Sequence, residues 1–243
     1  IEMARNNAAL GLKMRASSRA TIADQLDAVG RELSLGKTPQ RIECFDVSHS
    51  MGESAVASCV VLGPEGPLKS DYRRFNLRNI TPGDDYAGIE QAVERRFARV
   101  MRGEAPMPDL LLIDGGLGQL HAAMAALARV GVTDLAVVSV AKGSDRRAGQ
   151  ERLFFPGQEA ALILADDSPA LRLIQRVRDE AHRFAITGHR QSRDRSRRES
   201  WLEEIPGLGP KRRRELLKAF GGLQGVRQAS VEDLARVHGI SRQ

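Results

Sequence analysis

Apolar residues follow a strand-like pattern between residues 41 and 76. A buried strand is predicted over 41–47, and a second is predicted where apolar residues alternate over 56–62. The turn Gly63-Pro64-Glu65-Gly66-Pro67 separates the second strand from a third strand near 68–76. Three consecutive strands with short connections predict an antiparallel meander.

The spacing of apolar residues then lengthens from two to three or four. A helix is predicted to begin at Pro82-Gly83-Asp84-Asp85, and its apolar positions run from Ile89 to Val100. A strand over 110–113, a helix over 117–130 and a strand over 135–140 follow. Because strand–helix–strand units place their strands in parallel, the sequence predicts a mixed α/β sheet, antiparallel first and parallel later.

Further elements flank this sheet. A helix is predicted over 22–35, and the alanine-rich residues 1–21 are predicted to be a helical linker or disordered. Phe154 and Phe155 indicate a short strand, which can pair with 161–164. Ser168-Pro169 is typical of a helix start, with serine as N-cap and proline at the first helical position.

The polar run from His189 to Ser200 indicates a domain boundary, because it has almost no apolar side chain. We expect a large domain over 22–190, a charged linker over 191–199 and a small domain over 200–243. The chain begins with Ile1 and stops at Gln243 in the middle of a pattern. We therefore expect it to be a fragment of a longer protein.

The charge balance suggests a polyanionic partner. The 243 residues carry a formal net charge of +6, with a pI near 9.8. A basic protein that is merely soluble would show the same values, so charge alone leaves both readings open. The only two cysteines lie in apolar runs, and no stretch approaches the length of a membrane span. We expect a cytoplasmic protein without a membrane partner.

Two aspartates carry the candidate chemistry. Asp46 lies inside the first strand, where a buried carboxylate must be hydrogen-bonded, paired with a cation or bound to a metal. Asp114 ends the strand that runs into Gly115 and Gly116, although an aspartate before glycine is also typical of a simple turn. If the two strands are neighbours, the carboxylates approach each other. Paired carboxylates that hold Mg²⁺ or Mn²⁺ are what metal-dependent phosphodiester hydrolysis requires.

Three more residues are weaker candidates. Asp85 precedes a helix next to Asp84, so one of the two is expected to be the N-cap and the other could face the metal. His182 lies at the edge of the apolar stripe of the last long helix, where an ordinary boundary residue is the commoner outcome. Lys142 follows a strand and could contact a scissile phosphate, or simply be a solvated loop residue.

In their order along the chain, these residues resemble the C-terminal half of the UvrC family, the nuclease subunit of the bacterial nucleotide-excision-repair complex. The resemblance extends from about residue 22 to the end. It is carried by five blocks: Phe45-Asp46-Val47-Ser48-His49, Gly83-Asp84-Asp85-Tyr86-Ala87, Leu112-Ile113-Asp114-Gly115-Gly116, Val140-Ala141-Lys142-Gly143 and Glu180-Ala181-His182-Arg183-Phe184.

The resemblance implies a ribonuclease-H-like endonuclease domain that cuts on the 5′ side of a DNA lesion. It assigns catalysis and metal binding to Asp46, Asp114 and His182, with Asp85 as a further acid. His182 departs from the all-carboxylate set that is usual in ribonuclease-H-like nucleases. The implied partners are damaged double-stranded DNA and the UvrB–DNA complex. Family members contact UvrB through a segment not visible here, so we expect this chain alone to lack that contact and the 3′ incision.

The C-terminal residues resemble a tandem helix-hairpin-helix. Glycines in a tight hairpin expose backbone N–H groups at a helix N-terminus, which can bind a DNA phosphate without reading sequence. A second hairpin is expected around Gly239, truncated before its last helix. The candidate DNA-binding residues are Gly207, Gly209, Lys211, Arg212, Arg213 and Gly239.

Two other functions remain compatible with these residues. The chain could be a DNA-binding scaffold with an inactive nuclease fold. It could also be a nuclease of the same fold that acts on RNA hybrids or deaminated DNA.

Overall fold

The computed structural model describes residues 21–48, 55–81, 83–143, 151–203, 205, 207–237, 239 and 240, with α4 side chains as far as Thr187. The chain divides into two compact units, Ile1–Thr187 and Gly188–Gln243. The predicted N-terminal linker falls almost entirely on residues 1–20, outside the described residues. Among the helices of the described part, none has the length and apolarity needed to cross a membrane.

A seven-stranded mixed sheet forms the centre of the first unit. Its strand order is β3-β2-β1-β5-β6-β7, and β4 pairs with β2. The strands are β1 (Ile42–Ser48), β2 (Val56–Gly63), β3 (Gly66–Pro67), β4 (Arg73–Asn76), β5 (Leu110–Asp114), β6 (Ala136–Ala141) and β7 (Arg152–Phe154).

The pairing confirms the predicted change from antiparallel to parallel strands. β1 pairs antiparallel with β2, whereas β1–β5 and β5–β6 are parallel. Of the third strand predicted near 68–76, the structure forms only β4, because Lys69–Asp71 is a short 3₁₀ helix. The two-residue strand β3 lies within the predicted turn. β7 returns antiparallel to β6, and Leu153 bridges to Leu162 as the predicted short hairpin requires.

Helices cover both faces of the sheet. Helix α1 (described residues 21–32) and the first part of helix α4 (Pro169–Glu203), as far as Phe184, pack on one face. Helices α2 (Asp85–Met101) and α3 (Leu117–Arg129) pack on the other. Each face has its own apolar cluster, as expected for a sheet buried on both sides. α4 begins as predicted, because the Ser168 hydroxyl accepts a hydrogen bond from the N–H of Leu171 at 3.1 Å.

Alternation along β1 decides which way Asp46 faces. Cys44 belongs to the cluster under α1 and α4, and Phe45 belongs to the cluster under α2 and α3. Because successive strand side chains point to opposite faces, Asp46 lies on the same face as α4.

The second unit is small and helical. α4 continues through 191–199, so the segment predicted to be a linker is helical in its backbone. Helices α5 (Pro210–Ala219), α6 (Leu223–Gln228) and α7 (Val231–Leu234) follow. Leu216 and Val226 form its core. Parts of the predicted second hairpin, residues 238 and 241–243, lie outside the described residues.

Candidate metal centre

Asp46 and Asp114 lie at the same edge of the sheet. β1 and β5 are neighbouring parallel strands in which Phe45 is paired with Ile113, so the next residue of each strand is an aspartate. Gly115, which follows β5, has a φ of 148°, a backbone conformation that residues other than glycine rarely adopt. A Cβ atom at Gly115 would also lie 2.6 Å from the side chain of Gln119. The turn after Asp114 therefore requires glycine.

α4 brings His182 to these carboxylates. The His182 Nδ1 atom lies 3.3 Å from the Asp46 Oδ2 atom, although the two residues are 136 positions apart. The Asp46 side chain is buried, whereas the His182 side chain is 53% exposed. One ligand atom from each of Asp46, Asp114 and His182 lies within 4.8 Å of the others. The structure thus assembles these three predicted residues.

Burial and repulsion disfavour two negative charges here. Burial first, and then the charge of Asp114, raise the pKa of Asp46 to about 6, with the charge of His182 and its hydrogen bond opposing the rise. Burial also raises the pKa of the Asp114 carboxyl, while Arg178, Lys142 and His182 favour its charged form. A cation placed between these groups would relieve both penalties.

The donor set fits a divalent cation. Two carboxylates are ligands that Mg²⁺ and Mn²⁺ prefer, and an imidazole nitrogen adds a ligand accepted by many transition metals. The half-exposed histidine leaves the cluster open to a substrate from solvent. Among the described residues, this is the single group of three or more acidic, histidine or cysteine side chains with such spacing.

Asp85 and Lys142 lie at the margin of this cluster. Asp84 is the N-cap of α2, since its Oδ1 atom accepts the N–H of Ala87 at 3.0 Å. Asp85 is then the first helical residue, near enough to raise the pKa of Asp46 slightly, but it is not one of the three clustered residues. Lys142 follows β6, is exposed, and favours the charged form of Asp114.

Arg178 is a site residue that the sequence did not reveal. It lies one helical turn before His182 on α4 and is 6% exposed. Its Nη1 atom donates to the Glu151 Oε1 atom at 3.1 Å, and its Nη2 atom donates to the Asp179 Oδ1 atom at 2.9 Å. Its charge also favours ionised Asp114. In the sequence, Arg178 lies on a face of α4 with both polar and apolar residues, and nothing in that pattern indicates that it lies near Asp114.

In the second unit, α5 begins at the predicted glycines. Gly207 has a φ of 81°, and Gly209 is the N-cap of α5 without a side-chain hydrogen bond. Lys211 and Arg212 are exposed. The Arg212 Nη1 atom donates to the Gly207 carbonyl at 2.9 Å, so this arginine closes the hairpin as well as adding charge. Arg213 is half-buried, and a Cβ atom at Gly239 would lie 3.5 Å from the Nε atom of Arg212.

The fold and the site together define a ribonuclease-H-like α/β domain with a candidate metal centre, followed by a helix-hairpin-helix domain. A family model described as "UvrC RNAse H endonuclease domain" matches residues 30–186, and one described as "SAM-like Helix-hairpin-helix tandem" matches residues 201–243. The chain belongs to the UvrC family.

Curated relatives agree with this assignment. The chain is 54% identical over 241 residues to the UvrABC system protein C of Pseudomonas paraeruginosa, and 55% identical over 243 residues to that of Alkalilimnicola ehrlichii. These matches cover 99% and 100% of the chain, but the chain spans only 40% of the length of each relative. Among solved structures, the catalytic domain of human Endonuclease V is 18% identical with a TM-score of 0.41, covering 75% of this chain and 97% of that one.

Proposed function

We propose that this chain carries a metal-dependent DNA endonuclease centre that makes the 5′-side incision at lesions in bacterial nucleotide excision repair. The observation that supports it best is the convergence of Asp46, Asp114 and His182 from two strands and a helix. Structural roles account poorly for two carboxylates in one partly buried cluster, because burial raises the pKa of both and the charge of Asp114 raises that of Asp46 further.

The residues of the candidate centre have distinct roles in this proposal. Asp46 and Asp114 would hold the cation, and His182 would complete its ligands from the exposed side. When bound, a divalent cation stabilises the charge that develops on the phosphate during hydrolysis. Arg178 favours the ionised form of Asp114 against the effect of burial, and the exposed ammonium group of Lys142 could contact a phosphate oxygen. Asp85 supplies a further negative charge at the edge of the centre.

The helix-hairpin-helix unit would hold the duplex. Backbone N–H groups at the start of α5, together with Lys211 and Arg212, suit phosphate contacts that do not depend on sequence. We infer that damaged duplex DNA is the substrate and that the UvrB–DNA complex, the partner implied by the family, presents it. A chromosomal substrate would place the chain in the bacterial cytoplasm.

The test compares metal binding, DNA binding and cleavage. We expect Asp46→Asn and Asp114→Asn to abolish Mn²⁺ binding in calorimetry and cleavage of a bubble duplex, with fluorescence anisotropy on the duplex unchanged. Asp134→Asn removes an exposed acid before β6 and should alter none of these. If the Asp46 and Asp114 variants cut as well as the parent, the proposal is wrong. DNA binding without Mn²⁺ binding by the parent would instead indicate a scaffold. Matched RNA-hybrid and inosine duplexes would reveal a different substrate class.

A further inference from the structure

A cavity of about 400 Å³ lies on the sheet face opposite the metal centre, between β4, the start of β1 and the second half of α2. Glu43 and Asp46 are three positions apart on β1 and therefore point to opposite faces. Glu43 lies on the cavity side, where it pairs with a residue of α2. Six arginines line the cavity, and one of them, Arg74, directs its guanidinium group elsewhere. The other five are Arg41, Arg73, Arg95, Arg96 and Arg99.

Carboxylates neutralise only part of this charge. Glu43 accepts two hydrogen bonds from buried Arg96, at 3.0 and 2.6 Å, and one from Arg41 at 2.9 Å. Arg41 also pairs with Asp71, and Arg99 pairs with Glu104 at 3.1 Å. Five guanidinium groups thus face three carboxylates, a surplus of two positive charges.

Arg73 and Arg95 provide that surplus. Within the described part of the chain, their hydrogen bonds go to main-chain carbonyls. Arg73 donates to the carbonyls of Ser70 and Tyr72, and Arg95 donates to that of Asn76. The Arg95 guanidinium also lies 5.3 Å from the ring centroid of Phe75. Both arginines are exposed at the cavity, where their remaining N–H groups can reach an anion.

Arg74, the neighbour of Arg73, is turned away. Its guanidinium lies 3.9 Å from the ring centroid of Phe184 and donates to the Phe184 carbonyl, on the α4 face. The surplus charge of the cavity therefore rests on one residue of β4 and one of α2. These two guanidinium groups are held in place by main-chain carbonyls, so together they suit an anion with several acceptor oxygens.

We propose that this cavity binds a phosphate group, presented by a nucleic acid backbone or by a free phosphate compound. The site is separate from the cluster of Asp46 and Asp114, so its phosphate is not the one that is cleaved. Its phosphate binding goes beyond the nuclease function and does not rest on it.

The first test is an NMR titration of the ¹⁵N-arginine-labelled chain with inorganic phosphate and with pyrophosphate, in EDTA. We expect saturable shifts at the Nε–Hε groups of Arg73 and Arg95. The double variant Arg73→Gln/Arg95→Gln should weaken binding about tenfold, since charge-assisted hydrogen bonds are lost. Arg152→Gln is the matched control, because Arg152 lies 5.3 Å from the ring centroid of Phe154 but lines no part of the cavity. No saturable shift, or equal affinity in the double variant, would overturn the proposal.

A second arm identifies the source of the phosphate. For duplex binding measured by anisotropy against salt, the double variant should reduce the slope of log affinity by roughly 1 to 2 if the cavity holds backbone phosphates. An unchanged slope, together with lost pyrophosphate binding, would assign the cavity to a free compound. Asp46→Asn should leave both titrations unchanged, which separates failure of this site from failure of the nuclease proposal.

Discussion

Ser58 lies directly opposite Asp46 in the β1–β2 pair, so the two side chains share one face of the sheet. The buried Ser58 hydroxyl donates to the Ala181 carbonyl at 2.9 Å, one residue before His182. Arg74 is the next residue of the same row, on β4, and donates to the Phe184 carbonyl at 2.9 Å. Asp46, Ser58 and Arg74 thus form one row across three strands. Asp46 is a candidate metal ligand, and the other two side chains donate hydrogen bonds to α4 on either side of His182.

Because Ser58 holds the main chain next to His182, we expect Ser58 to position this histidine. Ser58→Ala should weaken Mn²⁺ binding several-fold, because a buried hydrogen bond contributes about 1 kcal/mol to the placement of α4. Calorimetry on the 243-residue chain provides the measurement. In a His182→Ala background, Ser58→Ala should have no further effect. An equal loss of affinity in both backgrounds would show that Ser58 supports the strands rather than the histidine.

Ser139 is a second buried serine of the sheet; it lies on β6 and faces the side of α2 and α3, opposite to Ser58. It is fully buried, and its hydroxyl is the only buried side-chain polar atom without a hydrogen-bond partner among the described residues. Ser139→Ala should therefore increase the free energy of unfolding by about 1 kcal/mol, because it removes an unsatisfied polar group. Urea denaturation would show a higher midpoint. A lower midpoint would mean that the hydroxyl has a partner, such as water.

The metal-free centre should reduce stability. Burial raises the pKa of the Asp114 carboxyl, so Asp114→Asn removes an unfavourable charge and should raise the melting temperature in EDTA by a few degrees. Mn²⁺ should stabilise the parent and not the variant, since a ligand that binds only the folded state shifts its stability. Thermal unfolding with and without Mn²⁺ measures both effects. A destabilised variant in EDTA would contradict this account.

Asp109 should make the stability depend on pH. Burial alone would raise the pKa of Asp109, but hydrogen bonds from Lys37 and from the N–H groups of Gln40 and Arg41, at 2.9 and 3.0 Å, lower it on balance. The pKa of Asp109 is thus lower in the folded state than in the unfolded chain, so folding favours the charged carboxylate. Its stabilisation is fully present above the ordinary pKa near 3.8 and is lost as the pH falls through the lower folded value.

Asp109→Asn tests this dependence. The loss of unfolding free energy should be about 1 kcal/mol at pH 7, after allowance for solvent screening, and should shrink towards pH 2. Chemical denaturation of parent and variant across this range gives the difference. A difference that is constant with pH would rule out the charged form of Asp109 as the cause.

Local patterns predicted most of the sheet and failed where backbone geometry intervened. The alternating residues of β2 and the apolar residues of α2, three or four positions apart, were placed correctly, because both spacings report directly which side chains are buried. The third strand was predicted as one element. The 3₁₀ helix Lys69–Asp71, which replaces the first part of that strand, contains no proline or glycine to signal it.

The amino-acid sequence by itself determined that acidic residues occupy strand positions 46 and 114, since Asp46 and Asp114 interrupt or end otherwise apolar runs. The tertiary structure alone decided that His182 meets Asp46, that Arg178 lies near Asp114, and that arginines of β4 and α2 surround one cavity. The physical reason is that burial patterns are local, whereas these contacts depend on strand register and on where a helix crosses the sheet.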